Sequence, residues 1–118
     1  MGTFFQTIEI GASPSGPFQS VDALVDTGGS YTWLPSPILS GLGVAPLFKL
    51  QFTLADGTTI ERDVTQIVVR LDGRNLFTVC IFGDEGSMPL LGTVTLEEFG
   101  LGVDPVNKRL IPVPRFLV

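Results

Sequence analysis

Asp26 stands directly after the apolar run Val21, Ala23, Leu24 and Val25, and Thr27-Gly28 follows it at once. Burying even a neutral polar group without partners costs about 2–7 kcal/mol, and an isolated charge costs more. Chains therefore keep most carboxylates in water, and one at the end of a buried strand reads as a group held there for chemistry. The chemistry open to it is proton transfer to or from a reacting group. The plainer reading is a turn residue, because Asp-x-Gly is common where strands end. Far downstream, Leu90-Leu91-Gly92 forms a second apolar run closed by glycine.

Other chemistries are removed by composition. The chain has no histidine, which takes away the usual serine-type triad and most zinc sites. The single cysteine, Cys80, lies in an apolar stretch with nothing to activate it, so it reads as a small apolar filler. One cysteine also excludes an intrachain disulfide framework and fits a reducing, cytoplasmic setting. A net charge of −5 with no Lys/Arg cluster argues against nucleic acid or an anionic membrane as partner. Residues 1–10 alternate like a strand rather than a signal peptide, and no apolar run approaches the roughly 20 residues of a membrane-spanning helix. Hydrophobic residues make 44% of the chain against 16% charged, which leaves apolar surface for a second subunit to cover.

The elements that must position Asp26 are short and punctuated by 14 glycines and 9 prolines, the mark of an all-β chain. Residues 4–10 read as a first strand, 11–17 as a loop, and 18–25 as a second strand with Val21, Ala23 and Val25 on one face. Ser36-Pro37, with Gly41 and Gly43 beyond, predicts a short helical turn capped by Ser36. Residues 48–54 alternate, with Phe48, Leu50, Phe52 and Leu54 apolar, and Asp56-Gly57 supplies a hairpin turn. The return strand from Thr58 slips its apolar phase between Val64 and Ile67, which predicts a bulge or bend. Asp72-Gly73 marks a second hairpin, and residues 76–82 read as a strand buried on both faces. Residues 93–99 predict a helix ended by Gly100, with Thr95 and Glu98 at capping-box spacing or Thr93 as the cap of a longer helix. Residues 101–113 read as two short strands around a turn at 105–108. The 118 residues fit one domain, 1–118, with no linker.

Taken in order, Leu24-Val25-Asp26-Thr27-Gly28, the hairpin at Asp56-Gly57, and Leu90-Leu91-Gly92 before a helix resemble the aspartic proteases. The specific likeness is to the single-lobe, retroviral-type (retropepsin-like) branch, over residues 3–100. The resemblance implies an all-β, closed β-barrel-like domain with one short helix in its C-terminal half. It implies Asp26 as the catalytic residue, with Thr27, Gly28, Gly29 and Ser30 completing the active-site loop and Thr27 bonding across to a partner chain. Ala55, Asp56, Gly57 and Thr58 become the tip of a flap that binds substrate. Asp84 and Glu85 fall in a loop that borders the substrate pockets in the resembling proteins, and a solvated acidic turn is the equal alternative. Leu90, Leu91 and Gly92 brace the active-site loop from below. Tyr31 and Trp33 read as core residues, or as residues lining the cleft.

One Asp-Thr-Gly supplies one carboxylate, and the chemistry needs two. The expectation is therefore a two-fold homodimer that pairs Asp26 with Asp26 of a second copy and hydrolyses an extended peptide without cofactor or metal. Three positions depart from the family pattern. Gly29 replaces a common alanine, and Ser30 and Thr93 stand where retroviral enzymes carry an acid and an arginine, leaving a hydrogen bond in place of an ion pair. Residues 101–118 extend beyond the retroviral pattern and are placed to supply interface strands. The competing class is the same fold kept as a non-catalytic dimerisation or peptide-binding module.

Overall fold

A computed structural model describes residues 3–114. The elements run β1 (Phe5–Gly11), β2 (Gln19–Val25), β3 (Thr32–Pro35), α1 (Ser36–Gly41), β4 (Phe48–Thr53), β5 (Thr59–Leu71), β6 (Arg74–Gly83), β7 (Leu90–Leu91), α2 (Thr93–Phe99), β8 (Leu101–Asp104) and β9 (Arg109–Pro112). Seven strands form one sheet in the order β1-β2-β7-β3-β6-β5-β4. β1 also pairs with β5, Ile10 opposite Val69, so the pairings turn back on themselves into a barrel-like body. β4 alone stands outside that circuit, bonded to β5 on one side.

The core fills this body because alternate residues point inward. Ile8 and Ile10 from β1, Val21, Ala23 and Val25 from β2, and Ile67, Val69 and Leu71 from β5 meet Leu91, Leu96 and Phe99 there. The apolar phase slip in β5 has a different cause from the expected bulge. Residues 64–71 keep one unbroken antiparallel register with β6, Val64 opposite Ile81 through to Leu71 opposite Arg74. Val64 and Val68 are buried on the face opposite Ile67 and Val69. β5 is apolar on both sides as it passes from β4 to β1. In β6 the reverse holds at one position: Phe77, expected inside, is 49% exposed.

The turns follow their residues. Asp72 and Gly73 both take positive φ, 54° and 73°, the pair of left-handed residues that a two-residue hairpin loop needs. Two helices form among the described residues, the helical turn expected at Ser36-Pro37 and the one expected in the C-terminal half. The first, α1, has Pro35 at its N-cap with no side-chain cap, and the expected cap, Ser36, instead donates its hydroxyl to the Gly83 carbonyl at 2.6 Å. Gly100 closes α2 in the left-handed conformation, φ 67°. The strands expected after it are β8 and β9, which among the described residues pair only with each other. The remainder of the expected interface segment, residues 115–118, lies outside the described residues. No helix among the described residues is long and apolar enough to cross a membrane.

Candidate active site

The loop after β2 hangs from two neighbours. On one side the Asp26 amide donates to the Leu91 carbonyl at 3.0 Å, continuing the parallel pairing of β2 with β7. On the other, the Gly29 carbonyl accepts from both the amide (3.0 Å) and the hydroxyl (3.3 Å) of Thr93, and the Ser30 carbonyl accepts from the Val94 amide at 2.9 Å. The first amides of a helix have no partners within it; here the loop carbonyls are those partners. α2 therefore starts at Gly92 without a side-chain cap, and the Thr95–Glu98 capping box is not formed. The expected Ser30–Thr93 side-chain bond is likewise replaced by Thr93 bonding to Gly29. Gly29 is thus pinned through its carbonyl.

Glycine is required here by space. A Cβ on Gly92 would lie 2.4 Å from the Tyr31 carbonyl carbon and 2.7 Å from the Ser30 oxygen, both backbone atoms. A Cβ on Gly29 would lie 2.8 Å from Asp26 Oδ2, the end of a side chain rather than backbone, so alanine there needs only a shift of the carboxylate. The Gly28 amide donates to Asp26 Oδ1 at 3.1 Å and orients it.

Below the loop lies a buried chain of hydroxyls that the sequence reading missed. Thr32 on β3, Thr95 on α2 and Thr78 on β6 are each 0–1% exposed. Thr78 donates to Glu98 Oε1 at 2.7 Å, and its oxygen meets the Thr95 hydroxyl at 2.8 Å. Thr95 and Thr32 meet at 2.6 Å, and Thr32 accepts from the Gly92 amide at 3.2 Å. Because Thr78 donates to the carboxylate, Thr95 donates to Thr78 and Thr32 to Thr95. Every hydroxyl donates once and accepts once, which is the condition for keeping polar groups buried.

Above the loop is a cleft of about 360 Å³. Asp26, Gly28, Gly29 and Ser30 form its floor, and Tyr31, Trp33, Ile81 and Leu90 its inner wall. Phe52, Thr53, Leu54, Ala55 and Ile60, from the hairpin arm of β4 and β5, form its roof. Tyr31 and Phe52 touch edge to face, centroids 6.0 Å apart. Tyr31 and Trp33 thus line the cleft instead of packing in the core; their place right after the Asp-Thr-Gly loop was the available signal. Thr27 is exposed, and among the described residues its hydroxyl has no partner. Asp26 is the one carboxylate among the described residues lining the cleft.

The expected flap tip divides. Ala55 lines the cleft, while Asp56, Gly57 and Thr58 are exposed beyond it. Asp56 Oδ1 accepts from the Thr58 hydroxyl (2.6 Å) and amide (2.9 Å), and these bonds hold its carboxyl below the usual carboxylate range. It makes the turn. Asp84 and Glu85 are exposed and face a second groove of about 470 Å³, with Lys49, Glu61, Arg62 and Asp63, rather than the Asp26 cleft. Of the bracing run, Leu91 is fully buried and Leu90 reaches the cleft wall. Burial pushes the Cys80 thiol up to about 12, so it stays protonated and inert.

By structure the chain resembles EIAV protease complexed with the inhibitor HBY-793, with a TM-score of 0.63, 20% identity, and 84% of this chain and 89% of that one covered. It also resembles the simian foamy virus (mac) protease in its solution structure, TM-score 0.54, 17% identity, covering 80% and 94%. The fold is retropepsin-like. No family model matches the sequence, and no curated protein matches it. At these identities the retropepsin likeness is one of overall fold.

Proposed function

We propose that the protein is an aspartic endopeptidase active as a homodimer, in which Asp26 of each copy contributes to one dyad. The observation that carries the reading is that a single carboxylate faces the cleft among the described residues, on a retropepsin-like fold. Two carboxylates at close range cannot both ionise, so one proton is shared and the titration belongs to the pair. That sharing is the documented behaviour of aspartic proteases rather than a property measured on this chain. The ionised member takes a proton from water while the protonated member polarises the scissile carbonyl.

The cleft supports an extended peptide as substrate. Tyr31, Trp33, Phe52, Leu54, Ile60, Ile81 and Leu90 line it and favour apolar side chains beside the scissile bond. The arm above offers backbone groups for strand addition to a peptide, and its closure would shield the reacting water. Thr27 is exposed, which leaves its hydroxyl free for the bond to a partner chain that this reading requires.

Solution mass, pepstatin binding and an Asp26→Asn variant test this together. The expected result is a dimer that binds pepstatin and cleaves peptides between about pH 3 and 7, with kcat reduced about 10³-fold in Asp26→Asn and Tm unchanged. Cleavage that survives the substitution, or full activity in a demonstrably monomeric preparation, overturns it. A wild type that binds peptides and never cleaves them leaves only the peptide-binding reading.

A further inference from the structure

Arg62, on the arm strand β5, is tied to the body of the protein through the wall of the Asp26 cleft. Its guanidinium carbon lies 5.8 Å from the centre of the Trp33 ring, within cation–π range. Its Nη2 lies 3.2 Å from Asp84 Oδ1, and its Nη1 donates to the Glu61 carbonyl at 2.9 Å. Trp33 Nε1 donates to Ser87 Oγ at 2.9 Å, and Ser87 Oγ donates to the Asp84 carbonyl at 2.6 Å. The contacts close a ring: Arg62 to Asp84, through Ser87 to Trp33, and back to Arg62. Gly83 seats the indole, since a Cβ there would lie 2.1 Å from Trp33 Nε1.

This ring sits between the two grooves. Trp33 lines the Asp26 cleft, while Arg62 and Asp84 line the neighbouring polar one. Two residues before Arg62, Ile60 lines the cleft, and its partner across the arm is Phe52. Moving the arm away from the cleft must therefore carry the guanidinium off the indole and off Asp84. Both contacts are modest alone, an ion pair with an exposed partner and a partly exposed cation–π pair. Together they can bias a hinge without locking it. Arg62 Nε is buried without a hydrogen-bond partner, a cost that weakens the closed position, so the arginine is held there by its other contacts.

We propose that Arg62 is a positioning residue that latches the arm to the 84–87 loop across the face of Trp33, holding the roof over the peptide cleft. The inference rests on the peptidase reading for its consequence in catalysis, but the latch has a signal of its own. Trp33 is the single tryptophan of the chain, so its fluorescence reports the ring directly.

The test is Arg62→Met, which keeps a stem over the indole and removes the charge, with Arg62→Lys as the milder second variant. In peptide-free protein, acrylamide quenching of Trp33 should rise about twofold in Arg62→Met. High salt should raise it in the wild type, by screening the Arg62–Asp84 pair, and leave Arg62→Met unchanged. With a cleavable peptide, KM should rise about fivefold in Arg62→Met and less in Arg62→Lys, with kcat and the pH profile retained. Quenching identical to wild type in both folded variants, or an unchanged KM, overturns the latch. A wild type without cleavage sinks the peptidase reading instead, and the quenching and salt results still decide the latch.

Discussion

Beneath Asp26, Thr32, Thr78 and Thr95 are all but sealed from water, whereas above it Phe48, Leu50 and Leu54 on the arm are 40–50% exposed. The floor is built from partners that cannot be exchanged. Loop carbonyls meet helix amides, and buried hydroxyls meet each other, with no water to stand in when one is lost. The arm is built the other way. Its strands hold each other by their ladder, its side chains link to the body through the Arg62 ring and the Tyr31–Phe52 contact, and one apolar side still faces solvent. On the proposed reading, a carboxylate that pairs with a second carboxylate needs the first kind of support. On the same reading, a roof that admits a peptide needs the second, because its apolar side gains burial only when something else covers it.

The sharpest way to break this contrast is Gly92→Ala. The added methyl meets backbone rather than flexible side chains, so the floor has nowhere to relax. Destabilisation of about 3 kcal/mol is expected, seen as a Tm lower by about 12 °C. Next comes Thr95→Val, which keeps the shape but leaves Thr32 without an acceptor and Thr78 without a donor. Urea unfolding should show a loss of about 2 kcal/mol; a loss near zero would mean the hydroxyl chain is replaceable and the floor is less rigid than argued.

At the arm tip the effects shrink. Asp56 has a carboxyl depressed by the Thr58 hydroxyl and amide. A depressed carboxylate gives its support in full above its ordinary pKa of about 3.9 and loses it as pH falls through the lower folded value. On acidification the Thr58 amide resonance should therefore shift below the ordinary aspartate range, and Asp56→Asn should remove that response. Smallest of all is Leu50→Thr, expected to change the stability of dilute, monomeric protein by no more than about 0.5 kcal/mol. A larger loss in chemical denaturation would show that the arm face is already packed in the single chain.

Much of the site could be read from residue types. The run into Asp26, the turn residues Asp56-Gly57 and Asp72-Gly73, and Gly100 at the end of α2 are local signals, because each depends on backbone conformation within a few residues. The misreadings share one cause. Thr95 and Glu98 have capping spacing, yet the loop 64 positions or so back in the chain had already supplied the helix with carbonyls. Ser36 is a good cap by type, yet Gly83 took its hydroxyl. Val64 and Ile67 look out of phase only if one face of β5 is assumed to be wet, and packing on both sides removes that assumption.

By itself the sequence determined the strand-and-turn pattern, the single carboxylate at a strand end, and the absence of histidine chemistry, since these depend on residue type and spacing alone. Tertiary structure decided what each polar side chain touches: that α2 is capped by the Asp26 loop, that Thr32, Thr95 and Thr78 form one chain, and that Arg62 reaches Trp33 and Asp84. Partners separated by tens of residues are chosen by folding, where buried donors and acceptors must all be matched together.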